Sequence, residues 1–275
     1  MNPPDSASQE HPSELNNDPV WHNIVAETRI EAEREPILAS FLYATVLNHA
    51  TLEASLSFHL ASKLDSPAAP ALLLREVIEE AMGSDSTIAE AIRCDIKAYR
   101  LRDSACRSYA TPLLYYKGYH ALQAHRVAHW LWHQDRQALA LFFQNRISIN
   151  FGVDIHPAAK IGAGIMLDHA TGIVIGETAT IGNNVSIMQD VTLGGTGKNT
   201  GDRHPKVADG VLISAGAKIL GNIIIGEGSQ IGAGSVVLKQ VPPHTLVAGV
   251  PAKIVGHPQC SEPALRMEHD TGAGS

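Results

Sequence analysis

From Ile155 onward an aliphatic side chain returns at every sixth residue: Ile155, Ile161, Leu167, Ile173, Ala179, Val185 and Val191, then Val207, Ile213, Ile219, Ile225, Ile231 and Val237. A second series with the same stride runs through Ile175, Ile181, Ile187 and Leu193. An α-helix repeats near 3.6 residues and an ordinary strand near 2, so neither sustains a stride of six. Short strands joined by tight turns do, with one inward aliphatic residue per side. Glycine follows Ile161, Ile175, Ile181, Ile225 and Ile231, where it relieves the corners. The pattern predicts a parallel β-helix of hexapeptides, three to a triangular coil of about 18 residues, with coils stacked about 4.8 Å apart. Val191 to Val207 is 16 residues, which is not a multiple of six. The stretch G-G-T-G-K-N-T-G-D-R-H-P (194–205) has no inward aliphatics and is expected to leave the coil there as a loop. The repeat alone does not fix the hand of the winding.

The chain ahead of the repeat has a different rhythm. Residues 1–19 are polar, include Pro3, Pro4, Pro12 and Pro19, and are expected to be disordered. They have neither the basic start nor the apolar core of a secretory signal. From Val20 to about Arg146 the spacing is helical. Pro36 opens one segment, Ser66-Pro67 reads as a cap before A-L-L-L-R-E-V-I-E-E-A-M, and Thr111-Pro112 reads as a cap before a segment reaching Leu141 and Phe142, with Gly118 as a candidate break. The predicted organisation is a helical domain over 20–147, a β-helix over 148–256 and a flexible tail over 257–275. A formal charge of −7 argues against nucleic acid as a partner. No run approaches the ~18 apolar residues of a membrane span. Cys94, Cys106 and Cys260 form neither an even set nor a close pair, which fits free thiols and a cytoplasmic setting.

Within the repeat, the run L-D-H-A-T-G-I-V-I-G-E-T (167–178) places Asp168 and His169 among aliphatic and small residues. Such a pair either caps a corner or supplies a base, and spacing alone does not decide. His156 before Pro157 reads as structural, and Glu177 as a solvated corner. His125, His129 and His133 fall at i, i+4 and i+8 beside Trp130 and Trp132; without cysteine or carboxylate partners they read as a packed or surface face.

Several motifs narrow the choice. The run V-D-I-H-P-A-A-K-I-G-A-G-I-M-L-D-H-A-T-G-I-V-I-G-E-T (153–178) closely resembles serine O-acetyltransferases. So do V-T-L-G-G-T-G-K (191–198), G-D-R-H-P-K (201–206), G-A-K-I-L-G-N-I (216–223), G-A-G-S-V-V-L (232–238) and the end of the repeat at 241–252. In the helical half the resemblance extends to C-D-I-K-A-Y-R-L-R-D (94–103) and T-P-L-L-Y-Y-K-G-Y-H-A-L-Q-A-H-R (111–126).

The resemblance implies an all-α domain followed by a left-handed parallel β-helix with a protruding Gly-rich loop. It implies acetyl transfer from acetyl-CoA, a co-substrate and not a resident cofactor, to L-serine, the first step toward cysteine. No metal is implied. By family position His169 is the base and Asp154 its carboxylate; the two are 15 residues apart, three short of one coil. A histidine suits the task, because a serine hydroxyl needs a base and an unperturbed imidazole titrates near about 6.5. Asp103 and Asp168 match the ammonium side of the serine site, and Arg203 and His204 the carboxylate side. Gly195, Thr196, Ala215, Gly216, Ala233 and Gly234 match positions along acetyl-CoA, where small residues let the ligand lie against backbone. Gly194-Gly195 is a candidate for oxyanion donors. Lys218 and Lys239 are either phosphate partners or surface lysines. The family pattern adds inhibition by L-cysteine and a homo-oligomer of trimers paired through the helical domains. Many members also dock a C-terminal isoleucine into O-acetylserine sulfhydrylase; here the last residue is Ser275, which speaks against that complex. Other readings are transfer to homoserine or a sugar, a zinc hydratase using His156, His169 and His204, and a non-catalytic scaffold.

Overall fold

The computed structural model describes residues 18–197 and 200–267. The expectations for residues 1–17, for Lys198 in the loop and for 268–275 lie outside the described residues. Helix α1 (Pro19–Arg34) begins where the Asp18 carboxylate accepts the Val20 and Trp21 N–H groups, with Pro19 in the first turn. A 3₁₀ turn from Pro36, the short α2 (Ala39–Leu42) and a π turn to Leu47 lead to α3 (Leu52–Leu64), capped by Thr51. The cap expected at Ser66-Pro67 is not used. Helix α4 (Ala71–Ser84) starts later, with the Ala71 N–H donated to Asp65 Oδ1 at 2.7 Å, while Ser66 closes a tight turn onto Ala69. Then follow α5 (Ser86–Arg102), α6 (Ala110–Tyr115), α7 (Lys117–His133) and α8 (Gln137–Phe151). The expected break at Gly118 falls at Tyr116 instead. Gly118 is inside α7, where a Cβ would strike the Leu167 carbonyl oxygen, so its role is close approach and not a turn. The helical part ends at Phe151, a few residues past expectation, where Gly152 takes a left-handed φ of 67°.

The solenoid winds in coils. The first holds β1 (Val153–Ile155), β2 (Lys160–Ile161) and β3 (Met166–Leu167); the second β4 (Ile173–Ile175), β5 (Thr180–Ile181) and β6 (Ser186–Ile187). The third holds β7 (Thr192–Gly194), β8 (Lys206–Val207) and β9 (Leu212–Ile213); the fourth β10 (Lys218–Leu220), β11 (Ile224–Ile225) and β12 (Gln230–Ile231). After β13 (Val236–Val237) the hairpin β14 (Leu246–Gly249) and β15 (Ala252–Gly256) closes the end. Stacking gives three parallel faces, β1-β4-β7-β10-β13, β2-β5-β8-β11 and β3-β6-β9-β12-β14, with β15 antiparallel on the last.

Register corrects the simple stride. Val153 pairs with Ile173, Val174 with Thr192, Thr192 with Lys218 and Lys218 with Val236, so successive turns take 20, 18, 26 and 18 residues. The turn of 26 contains the predicted loop. The turn of 20 was hidden. Ile155, Ile161 and Leu167 stack on Ile175, Ile181 and Ile187, whereas Ile173 stacks on Val153, so the step from Leu167 to Ile173 crosses an insertion. Both sets point inward because alternate residues of a strand share a face: Ile173 and Ile175 are buried and Val174 between them is exposed.

Helices α5 and α7 cover the open start of the first coil, whose strand edges would otherwise be unpaired. The buried Tyr99 hydroxyl donates to Leu167 O at 2.9 Å and accepts the Leu167 N–H at 3.1 Å, as a neighbouring strand would. Asp95 Oδ1 accepts the Ile165 N–H at 2.8 Å, and its Oδ2 accepts from Gln123 and Arg126. Arg126 also donates to the carbonyls of Ile161 and Gly162. The histidine stripe packs as expected: His125 is buried and His129 Nδ1 donates to Pro157 O at 2.7 Å. His156 Nδ1 accepts the Ala158 N–H, a structural use. The tail differs from expectation. Residues 257–267 return along the solenoid, and α9 (Pro263–Arg266) buries Ala264, whose carbonyl accepts the Ser186 hydroxyl at 2.9 Å.

Candidate active site

Asp168 and His169 sit on the corner between the first and second coils. Five residues, 168–172, turn that corner between Leu167 and Ile173; the same corner one coil on needs three, 188–190, between Ile187 and Val191. The two extra residues push the pair outward. His169 and Ala170 both take left-handed φ values, 56° and 61°, which side chains with a Cβ rarely adopt and which cost on the order of 1–3 kcal/mol each. The turn is held by Thr171 N–H to His169 O at 2.8 Å and Gly172 N–H to Gly152 O at 2.8 Å. The His169 side chain is 70% exposed, and its Nε2 lies 3.7 Å from Asp168 Oδ2.

This corner opens on a cleft of about 500 Å³ between solenoid and helices, lined by Tyr99, Asp103, Tyr116, Lys117, Asp168 and His169 among others. Asp103 follows the last residue of α5, so the helical domain brings a second carboxylate to the cleft that Asp168 lines. Lys117 donates to the Thr171 hydroxyl across the same gap. Asp154 lies in β1, two residues past Gly152, whose carbonyl accepts the Gly172 N–H of this corner, and its Oδ1 accepts from Gln144 Nε2 at 2.7 Å. Among the described residues of one chain, the carboxylate beside the His169 ring is that of Asp168.

The next edge of the prism, across the β1-β4-β7-β10-β13 face, carries Arg203 and His204 at the end of the loop. Arg203 donates to Glu177 Oε2 at 2.5 Å and to Gly201 O at 3.0 Å. The guanidinium holds the Glu177 carboxyl below the usual range. Thr178 fixes the pair of residues: its hydroxyl accepts the Arg203 and His204 N–H groups, at 3.0 and 3.1 Å. His204 is 7% exposed and lies over Gly176, where any Cβ would collide with the ring. Its Nδ1 accepts the Thr178 N–H at 3.1 Å, which leaves the proton of the neutral ring on Nε2. Burial, then the Arg203 charge, lower its pKa and keep it neutral. His204 therefore offers a donor and Arg203 a cation.

The small residues expected along acetyl-CoA divide between the two edges. Ala215, Gly216, Ala233 and Gly234 run down the His169 edge: Gly216 donates to Gln189 O and Gly234 to Ala215 O. Gly195 and Thr196 belong to the Arg203 edge; Gly195 lies against Arg203 and Thr196 against Gly221. Lys218 is engaged by Asp190, through O and through Oδ1 at 2.9 Å. Sequence reasoning missed Thr178, the Glu177–Arg203 pair and Tyr116, which hydrogen-bonds Asp103; none of these contacts leaves a mark in residue spacing. His169 stands on a different edge from His156 and His204, so one chain does not bring that trio together.

Known proteins share the order of a helical region followed by hexapeptide repeats. The model of the serine acetyltransferase N-terminal region matches residues 20–124, and that of the bacterial transferase hexapeptide repeat matches 204–239. The serine acetyltransferase of Escherichia coli K12 is 62% identical over 249 residues, covering 90% of this chain and 91% of that protein. Among solved structures, a serine acetyltransferase in complex with cysteine aligns with TM-score 0.90 and 56% identity over 91% of this chain and 98% of the other. The soybean enzyme complexed with serine aligns with TM-score 0.85 and 60% identity, over 86% and 97% of the two chains. The Brucella abortus enzyme in complex with coenzyme A aligns with TM-score 0.87 and 50% identity, over 88% and 97%. Helical cap, hexapeptide solenoid and matched length together place this chain in the serine acetyltransferase family.

Proposed function

We propose that the chain carries out serine O-acetylation with His169 as the general base, on a site completed between two chains of an oligomer. The imidazole takes the proton of the serine hydroxyl as its oxygen attacks the thioester carbonyl of acetyl-CoA. The tetrahedral oxyanion collapses by breaking the carbon–sulfur bond, and the thiolate of CoA recovers the proton from the imidazolium. Asp154 and Asp168 are the carboxylates available to steady that cation. Asp103 and Asp168 receive the serine ammonium, while Arg203, with its planar fork, and His204 Nε2–H receive the carboxylate. The pantetheine arm of acetyl-CoA lies along Ala215, Gly216, Ala233 and Gly234 of one chain and Gly195 and Thr196 of the next.

One observation supports the two-chain reading: base and ammonium partners stand on one edge of the prism and carboxylate partners on another, with a full sheet face between them. A trimer that sets the His169 edge of one copy against the Arg203 edge of its neighbour unites them. L-cysteine keeps the ammonium and carboxylate of serine, so it competes for the same groups and inhibits. The test is complementation. His169→Ala and Arg203→Ala chains, each inactive alone, are co-expressed and co-purified; regained acetyl transfer in the mixed oligomer is expected, and mixed oligomers as inactive as their parents contradict the shared site.

A further inference from the structure

Asp103 reaches the cleft with both carboxylate oxygens already engaged once. The Ala105 N–H donates to Oδ1 at 2.8 Å and the Tyr116 hydroxyl donates to Oδ2 at 2.9 Å. A carboxylate offers about four acceptor positions, so two stay open to a ligand. Tyr116 itself is fixed from several sides. It is the extended residue between α6 and α7 (φ −87°, ψ 109°), with its N–H on Pro112 O and its carbonyl accepting the His120 N–H. Its ring meets the buried Tyr99 ring edge to face, with centroids 5.6 Å apart. Tyr99 in turn is bonded to both backbone groups of Leu167, the residue before Asp168. A continuous physical link thus runs from the solenoid strand that presents Asp168, through two tyrosines, to the helical carboxylate Asp103. Burial and the neighbouring Asp103 raise the Tyr116 pKa, so the phenol keeps its proton and acts as a donor.

We infer that Tyr116 is a positioning residue for amino-acid recognition: by donating to Oδ2 it turns the open lone pairs of Asp103 toward the α-ammonium of the acceptor, at a set distance from Asp168. The inference rests on the reading of Asp103 as an ammonium partner. It deepens that reading, because the selectivity for an amino-bearing alcohol then depends on a phenol that does not itself touch the substrate. A hydroxyl whose only work were to stabilise the α6–α7 junction would affect every ligand alike.

Tyr116→Phe keeps the ring on Tyr99 and removes the hydroxyl. Steady-state kinetics on the full-length oligomer, with 3-hydroxypropionate as a competitor that has the hydroxyl and carboxylate but no ammonium, separates the two roles. The expected result is a KM for L-serine raised about ten-fold, with kcat, the KM for acetyl-CoA and the inhibition constant of 3-hydroxypropionate all within about two-fold of the parent. Added to Asp103→Asn, the same change raises the serine KM by less than about two-fold further, because the group it acts through is already gone. The inference is overturned by a serine KM that Tyr116→Phe leaves unchanged, by an equal loss for 3-hydroxypropionate, or by a full ten-fold increment on the Asp103→Asn background. If Asp103→Asn alone leaves the serine KM unchanged, the reading beneath fails and takes the inference with it. A KM raised by Asp103→Asn and not by Tyr116→Phe sinks the inference alone.

Discussion

In the solenoid the buried side chains are mainly Ile, Leu, Val and Ala aimed inward from every side of each coil, and the polar groups that matter stand on its edges. In the helical half Asp95, Arg102, Arg126, His59 and His120 are buried, while no Asp, Glu, Lys or Arg is buried between 153 and 256 among the described residues. The contrast follows from how each half satisfies its backbone. A coil of the solenoid pairs with the coils on either side, so its interior needs no buried charge, only apolar volume and a few uncharged polar side chains such as Ser186 and Gln230. The first coil has no such neighbour on one side, and the helices supply side-chain carboxylate, guanidinium and phenol groups in its place. The stacked half can thus be stiff and chemically simple, and its one long, strained corner and one long loop can be used for chemistry. The helical half takes on the buried carboxylate and guanidinium groups and the paired buried histidines, and with them a greater sensitivity to substitution and to acid.

The largest stability effect should come from the polar plug between the halves. Asp95→Ala leaves Arg126 buried without its carboxylate and the Ile165 N–H without an acceptor; about 3–5 kcal/mol of stability should be lost. Urea unfolding measures this, and a loss below about 1 kcal/mol would mean that the first coil does not need its cap. An effect of similar size is expected from acid. His59 and His120 are buried in contact, with centroids 4.9 Å apart, and each donates to a carbonyl near the end of α6, Leu114 O and Leu113 O. Burial, largest of the causes, lowers their pKa values to about 4 and about 3. Unfolded, both bind protons below about pH 6.5, so the stability they confer is complete above that pH and is lost as pH falls toward 4. By pH 5 each should have removed about 2 kcal/mol. Trp21, Trp130 and Trp132 all lie in the helical half, Trp132 with its ring against His156 of the solenoid, so tryptophan fluorescence reports on that half and its junction with the first coil. Unfolding midpoints that are the same at pH 7 and pH 5 would break the contrast between the halves.

Much of this was legible in the sequence where packing imposes a period. The coil, its inward residues and the loop at 194–205 follow from the stride of aliphatic residues. The insertion at 168–172 did not show, because Ile173, two positions before the Ile175 that stacks on Ile155, is itself inward and aliphatic and keeps the count at six. Gly118 read as a helix break because a glycine records freedom or closeness without saying which, and only the Leu167 carbonyl decides. The Arg203 and His204 positions came from resemblance to a family. Their fixing by Thr178 and Glu177 was invisible, since those contacts bridge the loop between separate coils. Tyr116 escaped for the same reason: its bond to Asp103 joins two helix ends whose relative placement no local pattern encodes.

Turnover of a His169→Gln variant tests the central claim most directly, since the amide fills a similar space and cannot accept a proton near neutral pH. The account predicts kcat lowered at least about 10²-fold with the affinity for acetyl-CoA within about two-fold of the parent. A variant that acetylates serine at near the parental rate would contradict it.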